Sequence, residues 1–160
     1  MATITKLGIP DPSNQLGASP YGNLTAFRYV LKTVASGAVE GGDSTAAVAS
    51  GDTVKIGLLP AGFRLIDSEI VVKTGLTATI TAKVGFAYAD GVDSTAVPQD
   101  DDFFGTGITV ATAGRYRNAT SNPSVTLPKE AWLTLTTAVT ANAKASELEI
   151  IVFAINEGVA

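Results

Sequence analysis

LTATITAKVGFAY, residues 76–88, alternates without a break. Leu76, Ala78, Ile80, Ala82, Val84, Phe86 and Tyr88 fall on one side. Thr77, Thr79, Thr81, Lys83, Gly85 and Ala87 fall on the other. A period of two, rich in Thr, Val and aromatic rings, belongs to a strand with one face on a core and one facing water or a polar neighbour.

The same period recurs on either side. AFRYVLKTV, from Ala26, puts Phe27, Tyr29 and Leu31 on one face and Arg28, Val30 and Lys32 on the other. TVKIGLL (53–59) points Val54, Ile56 and Leu58 inward. In the LPAGF that follows, Pro60 and Gly62 suit the second and fourth positions of a type I turn. FRLIDSEIVVK (63–73) is then expected to return as the hairpin partner. It would bury Ile66, Ile70 and Val72, with Asp67, Glu69 and Lys73 opposite. FFGTGITV (103–110) reads as a strand interrupted by glycine. AWLTLTTAV (131–139) sets Leu133, Leu135 and Val139 against Trp132, Thr134 and Thr136. ELEIIVFAI (147–155) is apolar on both faces after Glu149, the pattern of a central strand covered on both sides. Residues 35–52, 89–102, 111–124 and TANAKASE (140–147) are turn-rich, and 35–52 has room for one short edge strand.

No segment shows a capped helical period. About eight strands at spacings of ~8–15 residues indicate a sandwich or barrel. Two sheets with long crossing loops favour an all-β, jelly-roll sandwich of antiparallel strands over residues 26–160. Residues 1–25 stand apart as an extended N-terminal arm. Pro10, Pro12 and Pro20 remove ladder donors there, and glycines raise the cost of ordering. The arm still carries Ile4, Leu7, Ile9, Leu16 and Tyr21, which a disordered tail avoids. It therefore lies either on its own domain or on a neighbouring subunit.

The composition narrows the function. The 160 residues suit one domain, and 16% of them are charged, below a typical ~25%. Either Thr and Ser keep the surface polar without charge, or other subunits cover part of it. The chain contains no Cys and no His. That removes disulfides, thiolate chemistry, the commonest general base and the commonest metal ligand. A protein that binds and assembles is expected, not an enzyme, with no cofactor. The net charge of −4 opposes nucleic acid as a partner. No apolar run approaches the ~20 residues of a membrane span. MATITKLGIPDPS lacks the apolar core of a signal peptide, so synthesis and residence in the cytoplasm are expected.

Four groups could still carry function. Asp100, Asp101 and Asp102, with Asp90 and Asp93 nearby, read as a solvated acidic loop. Their spacing fits no EF-hand, although clustered carboxylates can hold Ca²⁺. Arg115, Tyr116 and Arg117 place two guanidiniums around one ring, on a solvated loop or at a subunit contact. Phe103 and Phe104 either both enter the core through a bulge near Gly105 or leave one ring at an interface. Trp132 is expected beneath the second sheet or the arm. An exposed indole would instead suit stacking on sugar, as in a carbohydrate- or receptor-binding module.

Taken together, four features resemble the capsid cement, or decoration, proteins of tailed bacteriophages. They are the Pro/Gly-rich N-terminal segment, SGDTVKIGLLPAGFRLIDSEIVVKTG, the long LTATITAKVGFAY strand with its acidic loop, and AWLTLTT followed by ELEIIVFA. The resemblance covers most of residues 26–155 and implies a jelly roll on the outer surface of a phage head. It implies a homotrimer that binds the major capsid protein and clamps neighbouring capsid subunits, with an arm reaching a neighbour. Such a protein would be made in the host cytoplasm and end in the virion. Contacts to other subunits or to the capsid are expected at Ile4, Leu7, Ile9, Tyr21, Phe103, Phe104, Arg115, Tyr116 and Arg117. No catalytic, cofactor or metal residue is implied.

Overall fold

The alternation of residues 76–88 becomes a strand only from Thr81. In the computed structural model, which describes residues 2–5 and 24–158, Thr79 takes a left-handed backbone (φ 73°) and Ile80 N–H turns back onto the Thr77 carbonyl. Leu76 and Ile80 are buried from this turn, while Ala78 is exposed. Side-chain alternation cannot register such a turn, because the apolar side chains still reach the core.

The described residues form ten strands: β1 (Thr3–Thr5), β2 (Leu24–Thr33), β3 (Thr53–Leu59), β4 (Phe63–Thr74), β5 (Thr81–Tyr88), β6 (Asp100–Ile108), β7 (Gly114–Arg117), β8 (Val125–Thr126), β9 (Ala131–Ala138) and β10 (Ser146–Asn156). The described residues contain no helix. Sheet one runs β1-β3-β9-β5-β6. Sheet two runs β2-β10-β4-β7, with β8 added to β4. All pairs are antiparallel except β1 with β3. β2 pairs with β10, β3 with β9, β4 with β7 and β5 with β6, while successive strands β2, β3, β4 and β5 alternate between sheets. This is one long antiparallel ribbon rolled onto itself, the jelly-roll arrangement.

The expected hairpin over 53–73 does not form. β3 spends its two edges on β1 and β9, and β4 spends its own on β10 and β7. The turn at Pro60 therefore carries the chain from one sheet to the other. Both strands read as half-buried because each faces the same core from opposite sides. The loop at 35–52 contributes only an isolated bridge, Thr33 to Val39, and no edge strand.

Two bulges also shift the expected faces. At Gly57 the register of β3 against β9 slips by one residue, so Leu59 is buried and Leu58 is not. Gly57 is packed under the Tyr29 ring, where any Cβ would clash. In β4 the slip falls opposite Phe153 and Ala154. There Ile66 turns outward at 40% exposure, and Leu65, Ser68, Ile70 and Val72 face in. Val139, expected inside, is exposed at the end of β9 with a φ of 83°.

The inner faces meet in one apolar core. Phe27, Tyr29, Leu31, Ile70, Val72, Leu148, Ile150 and Val152 come from sheet two. Val54, Ile56, Ala82, Val84, Phe86, Leu133 and Leu135 come from sheet one. Each fully buried Leu, Ile or Phe contributes about 1.5–3 kcal/mol. One end of the sandwich is tied by Asn142, which is fully buried. Its Oδ1 accepts from Thr77 N–H at 3.0 Å, and its Nδ2 donates to Thr33 Oγ at 3.0 Å and to the Lys144 carbonyl at 2.8 Å. A buried amide this fully satisfied holds three connections in place.

Candidate interaction surfaces

The nine contact residues expected from the sequence scatter. Leu7, Ile9 and Tyr21 lie outside the described residues. Ile4 is 2% exposed and packs into the chain's own core. Its strand is held by two carboxylates: Ala2 N–H donates to Asp52 Oδ1 at 2.8 Å, and Thr5 N–H to Asp43 Oδ1 at 2.9 Å. The first residues of the arm therefore lie on their own domain. Phe103 and Phe104 are both buried, edge to face, with centroids 5.0 Å apart. Both reach the core because β6 bulges widely between the pairs Val84–Gly105 and Phe86–Asp100. Burial removes Ile4, Phe103 and Phe104 from an outward-facing contact set.

Arg115, Tyr116 and Arg117 form the edge strand β7, not a loop. Arg115 pairs with Glu69 at 2.9 Å, and Arg117 pairs with Asp67. Tyr116 packs against the core while its hydroxyl donates to the Thr112 carbonyl at 3.1 Å. The two arginines thus belong to a larger surface, the outer face of sheet two, while Tyr116 faces the other way.

That face has two halves. In one half, charges are paired across strands: Arg28 with Glu149, Lys32 and Lys73 with Glu147, and Glu69 and Asp67 with the β7 arginines. A hydrogen bond from Lys73 holds the Glu147 carboxyl below its usual range, helped by the neighbouring cations. Seven of the nine ion pairs among the described residues lie on this face or its rim. The other half is apolar. Register places Ile155 beside Leu24, Phe153 beside Ala26, and Ile66 at the adjoining bulge. Leu24 is 63% exposed, Ala26 is exposed, and Ile151, Phe153 and Ile155 are half-buried. β10 is central, as expected, but its outer face is not covered by the described chain. The signal was present in the sequence as apolar residues at alternate positions between Glu149 and Asn156.

The outer face of sheet one is different. Thr53, Thr81, Thr134 and Thr136 line it with Lys55 and Lys83. Trp132 lies there half-buried, with Lys55 Nζ 5.5 Å from its ring centroid, and not beneath the second sheet. Asp100, Asp101 and Asp102 begin β6. One carboxylate oxygen from each lies within 4.8 Å of the others. A hydrogen bond with Asp100, then burial and like charge, raise the Asp102 carboxyl above its usual value. Lys83 Nζ sits 2.6 Å from Asp101. Without His or Cys, the surface lacks the usual nucleophile–base pair.

No protein-family model matches this chain, and no curated protein matches it. Solved structures do. A chain of the Ralstonia phage GP4 capsid superposes with a TM-score of 0.66 at 19% identity, covering 99% of this chain and 100% of that one. A chain of the cyanophage Pam1 capsid asymmetric unit superposes with a TM-score of 0.56 at 16% identity, covering 93% and 99%. At these identities the likeness is one of fold, and it extends over the whole of both matched chains.

Proposed function

We propose that this protein is a structural component of a phage virion, without enzymatic activity. It binds the outer surface of the capsid as a homotrimer and cements neighbouring capsid subunits. The observation that carries this reading is the end-to-end fold match with a chain of a phage capsid. The outer face of sheet two supports it. An apolar patch beside charges already neutralised within the chain can be covered at little desolvation cost, because few unpaired ions must be stripped of water. Many copies on one shell add avidity, so each contact can be weak. The acidic balance suits a surface turned away from packaged DNA.

Light scattering on the purified chain should give close to three times 16.3 kDa. The chain should also cosediment with shells of the major capsid protein of its own virus. A monomer at all concentrations would refute the trimer, and failure to sediment with shells would refute the cementing role. The competing reading, a carbohydrate- or receptor-binding module, has less support, since the one Trp lies half-buried under Lys55.

A further inference from the structure

Resting on the trimer proposed above, we propose that the copies are tied by strand exchange: residues 2–5 of each protomer leave their own domain and fill the slot beside β3 of the next. The slot belongs to the domain, and β1 only fills it. Ile4, the one buried side chain of β1, pairs in register with Val54 and lies against Gly42, where an added Cβ would come within 3.3 Å of Ile4 Cγ2. Carboxylates of the loop before β3 meet both ends of the strand. Asp52 takes the Ala2 N–H, Asp43 takes the Thr5 N–H, and the Asp43 N–H returns 2.9 Å to the Thr5 carbonyl. Asp52 is already held from its other oxygen by the Ala49 N–H at 2.8 Å, so this end of the slot is set without β1.

β1 also stands outside the antiparallel ribbon. Its pairing with β3 is the only parallel one among the described strands, and every other pairing survives its departure. β1 and β2 are edge strands on the same side of the sandwich, because Tyr29 of β2 packs over Gly57 of β3, the neighbour of β1. Packed sheets stand about 10 Å apart. Residues 6–23 join the two strands, and at ~3.3 Å per residue their length allows a span on the order of 60 Å. That is far more chain than β1 needs to reach its own slot, and enough to reach a neighbour's.

A neighbour's residues 2–5 are identical, so exchange keeps every contact of the slot. Swapping an identical element is for that reason a low-cost route to an oligomer. Each copy gives one strand and receives one, a head-to-tail contact that closes into a ring.

The test uses the full chain, which has no cysteine of its own. Thr3 and Thr53 are partners in register on adjacent strands, within disulfide reach. The variant carrying Thr3→Cys and Thr53→Cys is weighed by light scattering, oxidised, and run on a denaturing gel without reductant. Exchange is expected to give covalent dimers and trimers. Co-expressed Thr3→Cys and Thr53→Cys single variants should give covalent dimers. A trimeric mass with every crosslink inside one chain would overturn exchange and leave the trimer standing. A monomeric mass would overturn the trimer and exchange with it. Ile4→Asp gives a second readout that needs no crosslink. It should raise the concentration at which the trimer dissociates by at least about tenfold, with the β-rich circular dichroism kept, because it brings an unpaired charge into the slot. An unchanged dissociation would overturn exchange.

Discussion

The two sheets present equivalent inner faces and opposite outer ones. Inside, each supplies a continuous set of Leu, Ile, Val and aromatic side chains to one core. Outside, sheet one is built from threonines, two lysines and a carboxylate cluster, and sheet two from paired charges beside an apolar patch. Threonine on a strand keeps β propensity and hydration together, so the outer face of sheet one is stable against water. Leu24, Phe153 and Ile155 gain nothing from water. Under the proposed function, theirs is the face that a partner covers. The low overall charge divides along the same line: on sheet one Thr replaces charge, and on sheet two the charges cancel in pairs.

The largest expected effect tests the equivalence of the inner faces. Leu135→Ala in sheet one and Ile150→Ala in sheet two should each cost about 2–5 kcal/mol in urea unfolding, since both side chains are fully buried. A loss confined to one of them would mean that the sheets do not share one core.

The outer faces should separate in the opposite way. Phe153→Ser should change monomer stability by no more than about 1 kcal/mol yet reduce the associated mass in light scattering. Ala87→Ser, on the outer face of sheet one, should leave the mass unchanged. If both variants keep the mass of the parent chain, the apolar patch is not the contact.

The smallest effect concerns acid. The Glu147 and Glu157 carboxyls are held below their usual values, by hydrogen bonds from Lys73 and from Arg64. A carboxyl with a depressed folded pKa contributes stability that is fully present above its unfolded pKa, about 4.3. That contribution is lost as pH falls through the lower folded value. Acid titration of stability should therefore steepen below about pH 4.3, and Glu147→Gln should flatten part of that slope. An identical slope in the variant would show that the pair on sheet two adds nothing.

Much of the inward pattern was legible. Phe27, Tyr29 and Leu31, then Ala82, Val84, Phe86 and Tyr88, then Leu133 and Leu135, all face the core as their alternation requires. The patch on β10 was also written in the sequence, but apolar residues on both faces look the same whether a partner lies within the chain or outside it. Hydrophobicity alone marks Ile4, Phe103 and Phe104 as contacts, and it does not say whether a side chain is buried by its own chain. Asn142 gave no sign in TANAKASE, because its role comes from Thr33, Thr77 and Lys144 meeting it in space.

By itself the sequence determined that this is an all-β chain, which residues of most strands point inward, and that His and Cys chemistry is absent. These are local properties, set by composition and by the two-residue period of an extended backbone. Only the tertiary structure decided that β3 and β4 belong to different sheets, that Leu58 and Ile66 turn outward, and that the bulge of β6 takes both Phe103 and Phe104 into the core. Strand pairing and bulges are made by backbone N–H and C=O groups, which every residue type but proline supplies alike. Side chains therefore carry almost no record of them, and the rolled ribbon becomes visible only when the ladders are in place.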